Sequence, residues 1–179
     1  MTRRVLSWVT VIAVVVGTTP ATAGALGQAQ DALRQRYLLS RIEVQNLAHE
    51  GAVVVRGAVL TLEADGVPAN TFRTVRTNTK SPRFHVLDYA KVEIAEDGAV
   101  HVGRGELRPP RGTRLVVLDL KTDADGVRLF THTADPVMGD GRPAYGCTEF
   151  VFRVGPSRLE PSDLAAIERA IERWLPFAA

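Results

Sequence analysis

One cysteine, Cys147, and four histidines, His49, His85, His101 and His132, are the side chains in this sequence with the widest chemical reach. A thiol becomes a nucleophile when a neighbouring base can take its proton, so a Cys–His pair is the arrangement to look for. No local motif names a base for Cys147, and free cysteine is among the most buried residue types, which favours a small core side chain. The histidines lie 36, 16 and 31 residues apart, with no HxH or HxxxH pair to seed a zinc site. Asp123-Ala124-Asp125-Gly126 has part of the look of a calcium loop. Aligned on its glycine, however, the pattern would put Lys121 and His132 where carboxylates are required. Gly103-Arg104-Gly105 lacks the third glycine of a dinucleotide fingerprint, and neither a GxSxG elbow nor a phosphate-binding loop occurs. No residue is assigned a catalytic role, and no metal or cofactor is expected.

Two arginine-rich stretches remain. Arg73, Arg76, Lys80 and Arg83 fall in an acid-free segment, and Arg104, Arg108, Arg111 and Arg114 fall in a second that holds only Glu106. Brought together by strands, they would form a patch for an anionic envelope component or an acidic protein face. Solvated strand faces and edge-strand gatekeepers account for such arginines as well.

These groups have to be positioned by a chain with a distinctive beginning. Arg3 and Arg4 precede an apolar run from Val5 to Val16, and Ala21-Thr22-Ala23 supplies the small residues of a cleavage site. This pattern predicts a signal peptide over residues 1–23, cut after Ala23, because the run is shorter than the roughly 20 apolar residues that span a bilayer. The expected location is periplasmic or extracellular, with no transmembrane span in the mature chain. Ordinary export suits the short basic start better than the twin-arginine route. Cleavage would leave 156 of the 179 residues and lower the 22 basic side chains to 20, equal to the 20 acidic ones. A neutral chain has no global field for nucleic acid, so no nucleic-acid partner is expected. One cysteine cannot make an internal disulfide, so packing has to carry the stability.

Residues 24–41 are predicted to be a flexible or short helical segment, and residues 42–179 one β-rich domain. From about residue 42, short β-branched runs alternate with turn signals. Asp65-Gly66, Asp97-Gly98 and Asp125-Gly126 each predict a tight turn joining two antiparallel strands. Leu115 to Leu120 is apolar on both faces and predicts a central strand covered on both sides. In 148–154, Thr148, Phe150, Phe152 and Val154 share one face, while Cys147, Glu149, Val151 and Arg153 share the other. Met138 to Pro143 reads as an exposed loop. Leu164, Ile167, Ile171, Trp174 and Leu175 form the apolar stripe of a C-terminal helix over 161–175. The expected fold is mainly β: a small antiparallel barrel or strongly curved sheet of about six to eight strands, with one C-terminal amphipathic helix.

Several segments carry a resemblance. They are Gly57-Ala58-Val59-Leu60-Thr61-Leu62 leading into Asp65-Gly66-Val67-Pro68-Ala69, then Pro110-Arg111-Gly112-Thr113-Arg114-Leu115-Val116-Val117, Asp125-Gly126-Val127-Arg128-Leu129 and the Phe150/Phe152 strand. Their order resembles small secreted bacterial proteins of unknown function that join a signal peptide, a barrel-like β domain and a C-terminal helix. The resemblance implies a fold and brings no catalytic residue. The expectation is an exported, non-enzymatic β-domain protein that binds or supports something at the cell envelope. The alternatives are a thiol-dependent hydrolase or other enzyme using Cys147, and a carrier of a small apolar ligand lined by Leu60, Leu62, Leu129, Phe150 and Phe152.

Overall fold

Apolar side chains at alternate positions of residues 146–153 oblige that segment to become a strand with a dry face, and the rest of the molecule is arranged around it. The computed structural model describes residues 20–44, 49–75, 84–86, 88–154 and 163–179. A helix, α1 (Pro20–Arg36), is followed by β1 (Arg41–Ile42), β2 (Val53–Val55), β3 (Val59–Thr61), β4 (Asn70–Thr71), β5 (Arg73–Val75) and β6 (Phe84–Val86). Then come β7 (Ala90–Ile94), β8 (Val100–Val102), β9 (Arg114–Asp123), β10 (Gly126–Thr133), β11 (Val137–Gly139), β12 (Arg142–Ala144), β13 (Gly146–Arg153) and α2 (Leu164–Trp174). The fold is mainly β with a C-terminal helix.

The main sheet has seven strands in the order β3-β9-β10-β13-β7-β8, with β4 also paired to β13. β1–β2, β5–β6 and β11–β12 are separate two-stranded pairs. The expected antiparallel barrel is corrected: the sheet is open, and it is mixed, because β13 runs parallel to β7. Closure would require β3 to pair with β8. Instead the outer edge of β3 is taken by the C-terminal segment, where Thr61 N–H donates to Pro176 O and Ala178 N–H to Val59 O. The face that a barrel would have rolled around is filled by two helices. Ala29, Leu33 and Tyr37, spaced by four along and just past α1, are buried with Ile167, Ile171 and Leu175 against Leu60, Leu129, Phe150 and Phe152. The stripe of α2 is thus the apolar face that the helix needs to dock.

The tight turns differ from one another. Asp97-Gly98 joins β7 to β8, and Asp125-Gly126 joins β9 to β10, both antiparallel pairs. Asp65-Gly66 does not join paired strands: β3 pairs with β9, while the chain beyond Gly66 crosses to β13. A fourth pair, Asp140-Gly141, has φ of 47° and 75° and joins β11 to β12, turning the expected loop at 138–143 into a hairpin. Positive φ at both central residues is the signature of a type I′ turn. The run 115–120 is apolar on both faces because of a bulge. Thr131 faces Val117 and Phe130 faces Asp119, which leaves Leu118 as the extra residue. β10 and β13, not β9, lie in the middle of the sheet.

Gly126 is required twice over. Its φ is +150°, and a Cβ would stand 2.0 Å from the Phe152 carbonyl oxygen of the neighbouring strand. Gly98, with φ of +85°, has open space around it. Gly126→Ala is therefore expected to cost about 2–4 kcal/mol, and Gly98→Ala only the left-handed backbone penalty of about 1–2 kcal/mol. Urea unfolding of the two variants measures the difference, and a Gly98 variant as damaged as the Gly126 one would contradict the packing described.

Candidate functional site

β10 and β13 pair antiparallel with His132 directly opposite Cys147. Their side chains therefore emerge on the same face, and His132 Nδ1 lies 3.4 Å from Cys147 Sγ. The other ring nitrogen, Nε2, is 2.8 Å from the carbonyl oxygen of Gly51. A carbonyl only accepts, so Nε2 carries the proton and Nδ1 is left to accept from the thiol. Tyr145 stacks on the imidazole at 5.1 Å, and Phe72 meets it edge-on at 5.5 Å. Gly51 can come this close because it has no side chain: a Cβ there would fall 2.7 Å from Tyr145.

Both partners are fully buried, at 0 % exposure. Burial pushes the His132 imidazole down to about 4, against a raising effect from the Gly51 carbonyl. It pushes the Cys147 thiol up to about 12, with the Asp88 charge acting in the same direction. Catalytic cysteines need the reverse, a thiol lowered towards neutrality beside a base that solvent and substrate can reach. The pair as built is neutral and closed, and its chemistry is to tether the segment around Gly51 to the sheet. Of the other histidines, His49 and His101 are exposed and His85 lies on β6. Among the described residues no cluster of His, Cys, Asp or Glu could hold a metal ion.

The arginine stretches do meet in space. Arg73 donates to Glu106 at 2.7 Å, and Ala69 bridges to Leu107. Hydrogen bonding from Thr71, with the Arg73 guanidinium alongside, holds the Glu106 carboxyl below its usual value. Arg111 binds Glu63 at 2.6 Å and Arg114 binds Asp135 at 2.6 Å. Arg108 donates to the carbonyl oxygens of Gly105 and Leu107. Arg104 is exposed with no ion pair among the described residues. Arg76, Lys80 and Arg83 lie outside the described residues.

Leu60, Leu62, Leu129, Phe150 and Phe152 are packed in the core against the helices. The open space lies elsewhere. A cleft of about 550 Å³ separates α2 from the β7–β8 hairpin. Its floor is Ile94 and Phe152, and Trp174 lies against it on the helix side. Ala166 and Ala170 line it on the helix side, where their small side chains take up little of the space. Arg153, Arg169 and Arg173 line it, with Glu96 at the hairpin and Asp163 at the start of α2. A volume of this size falls within the roughly 300–1,000 Å³ of small-molecule sites. Arg153 is committed to Glu93 at 3.0 Å and Asp125 at 3.5 Å. Arg169 and Arg173 are exposed and have no ion pair among the described residues.

Comparison with known protein families, curated proteins and solved structures finds no match. The site therefore has to be read from its own residues.

The reading of the sequence above missed this cleft, although a signal for it was present. Residues 167–174 are Ile-Glu-Arg-Ala followed by Ile-Glu-Arg-Trp. A four-residue step returns almost to the same side of a helix, so each residue type forms its own stripe. The isoleucines are buried, Glu172 and Glu168 turn to Arg36 of α1, and Arg169 and Arg173 turn to the cleft.

The buried imidazole has a consequence for stability against pH. Its folded-state value, about 4, is below the ordinary 6.5, so the unfolded chain binds the extra proton first. The stabilisation is complete above pH ~6.5 and is lost as pH falls towards ~4, on the order of 3 kcal/mol in all. Urea midpoints measured at pH 7.5, 6 and 5 should fall steadily in the wild type and much less in His132→Gln. Parallel acid limbs in the two proteins would contradict a neutral His132.

Proposed function

We propose that this chain is an exported, non-enzymatic β-domain protein that binds a small ligand at the cell envelope, using the cleft between α2 and the β7–β8 hairpin. The observation that carries this reading is a contrast between two sites. The pair with nucleophilic potential, His132 and Cys147, is sealed and neutral, while the cleft is open and combines an apolar floor with Arg169 and Arg173, which have no ion pair among the described residues. Export is supported by the pattern of residues 1–23, and Ala29, Leu33 and Tyr37, which the core buries along and just past α1, all follow the expected cut. Membership of the secreted bacterial group described above, and contact of the arginines at 73 and 104–114 with an anionic envelope component, belong to the same proposal. There the supporting fact is that the two stretches adjoin through Arg73 and Glu106.

A second reading, a thiol enzyme, has one observation in its favour: the 3.4 Å contact between His132 and Cys147. The two readings separate on thiol reactivity. In the protein secreted from a bacterial host, intact mass should begin at Gly24, and iodoacetamide at pH 8 should label Cys147 only after unfolding. Native labelling at the rate of a free thiol or faster would favour the enzyme, and a mass retaining residues 1–23 would remove the export step.

A further inference from the structure

We infer that the cleft takes an amphiphile with a single anionic head group, held by Arg169 and Arg173, and a slender apolar tail laid over Ile94 and Phe152. This rests on the cleft being the binding site, as proposed above, and adds the chemistry of the ligand. The head-group end is defined by charge segregation on α2. Its acids Glu168 and Glu172 are drawn to Arg36, so the arginines one position further round have no carboxylate of their own helix to neutralise them. Arg169 and Arg173 are one turn apart on one side, about 5–6 Å between Cβ atoms, a spacing at which two guanidinium groups can share one carboxylate, sulfate or phosphate. The cleft is also lined by two acids, neither in an ion pair with Arg169 or Arg173 among the described residues. Asp163 begins the helix, and Glu96 is at the hairpin tip.

The tail end is defined by the sheet. Val100 pairs with Ile94 and Val102 with Val92 in antiparallel register, so their side chains project from the face that carries the floor. Both valines are exposed, 37 % and 53 %, and lie on the same face of the sheet as Ile94, on its last strand among the described residues. Trp174 lies at the opposite end of the α2 wall from Asp163. The site is thus apolar along its length with positive charge on one wall, which is what a fatty-acid-like anion requires. A neutral ligand would leave the cations unused, and a cationic one would be repelled.

The test uses the exported protein and decanoate, decylammonium and decyl maltoside, each below its micelle concentration. The readout is Trp174 fluorescence in the wild type and the double variant, since the only other tryptophan, Trp8, lies in the leader, and isothermal titration calorimetry in Ala170→Trp, which carries a second fluorophore. Decanoate should bind at least tenfold more tightly than decylammonium, and Arg169→Glu/Arg173→Glu should abolish or reverse that preference. Ala170→Trp, which fills the cleft, should remove binding of decanoate, and circular dichroism checks that both variants are folded. Equal binding of all three probes, blocked by Ala170→Trp but unchanged in the double variant, would overturn the anionic assignment while leaving the cleft as the site. Decanoate binding that survives Ala170→Trp, or no response to any probe, would overturn both.

Discussion

Pairing of β13 with β10 from Gly126 to His132 places Phe150 opposite Leu129 and Phe152 opposite Val127, and it makes the inner face of the sheet continuous and apolar. A period-two strand cannot slip by one residue without sending all of these to the solvent side, so the burial of the two phenylalanines holds the register. The rest depends on that register. It places His132 opposite Cys147, brings Arg128 to Glu149 on the outer face at 3.1 Å, and sets Phe152 under α2 as the floor of the cleft. The outer face is buried around His132 and Cys147 and ionic towards the Asp125-Gly126 turn. Arg128 also reaches Asp123, and Arg153 joins Glu93 and Asp125, so charges of adjacent strands neutralise one another across the sheet. Such part-exposed pairs contribute little each to stability. They also bear on register, since a two-residue slip in one direction would set Arg128 opposite Arg153.

What the sequence revealed, and what it hid, follows from the range of each signal. The two faces of β13 were legible because Thr148, Phe150 and Phe152 alternate with Cys147, Glu149 and Val151, a pattern contained within one strand. The buried stripe of α2 was legible for the same reason, with Ile167 and Ile171 one turn apart. The open, mixed sheet was not, because whether β7 lies parallel to β13 is decided by residues more than fifty positions apart. The Asp-Gly pairs at 97–98 and 125–126 join antiparallel partners as expected, but at 65–66 the chain turns and leaves its strand, and the hairpin at 140–141 was hidden because its flanks, Met138 and Pro143, show no alternation. The contact between His132 and Cys147 depends on the β11–β12 excursion between them being the right length to return β13 in register. The cleft was hidden because the second stripe of α2, Arg169 and Arg173, gains meaning only once the buried stripe has docked and Glu168 and Glu172 have turned to Arg36.

The arginine content of the chain therefore divides by environment. Arg73, Arg111 and Arg114 each answer a nearby carboxylate, Arg128 and Arg153 are part of the outer ionic mesh, and Arg36 clamps α2 while its guanidinium lies 5.6 Å from the Phe177 ring. Arg169 and Arg173 differ from these in having neither acid nor ring as a partner among the described residues. A formal charge near neutrality is compatible with a local positive site when the acids are used up elsewhere in the fold.

The first and last described elements meet: Arg36 hydrogen-bonds Glu172 across 136 positions, Tyr37 stacks on Phe177, and the tail from Pro176 to Ala178 lines the edge of β3. The inner layer cannot be completed until residues 167–178 are in place, because they supply the cover for Leu60 and the partner for α1. Contacts this remote in sequence form late and slowly. Until then Leu60 lacks its cover and α1 lacks the partner that Arg36 and Tyr37 reach for.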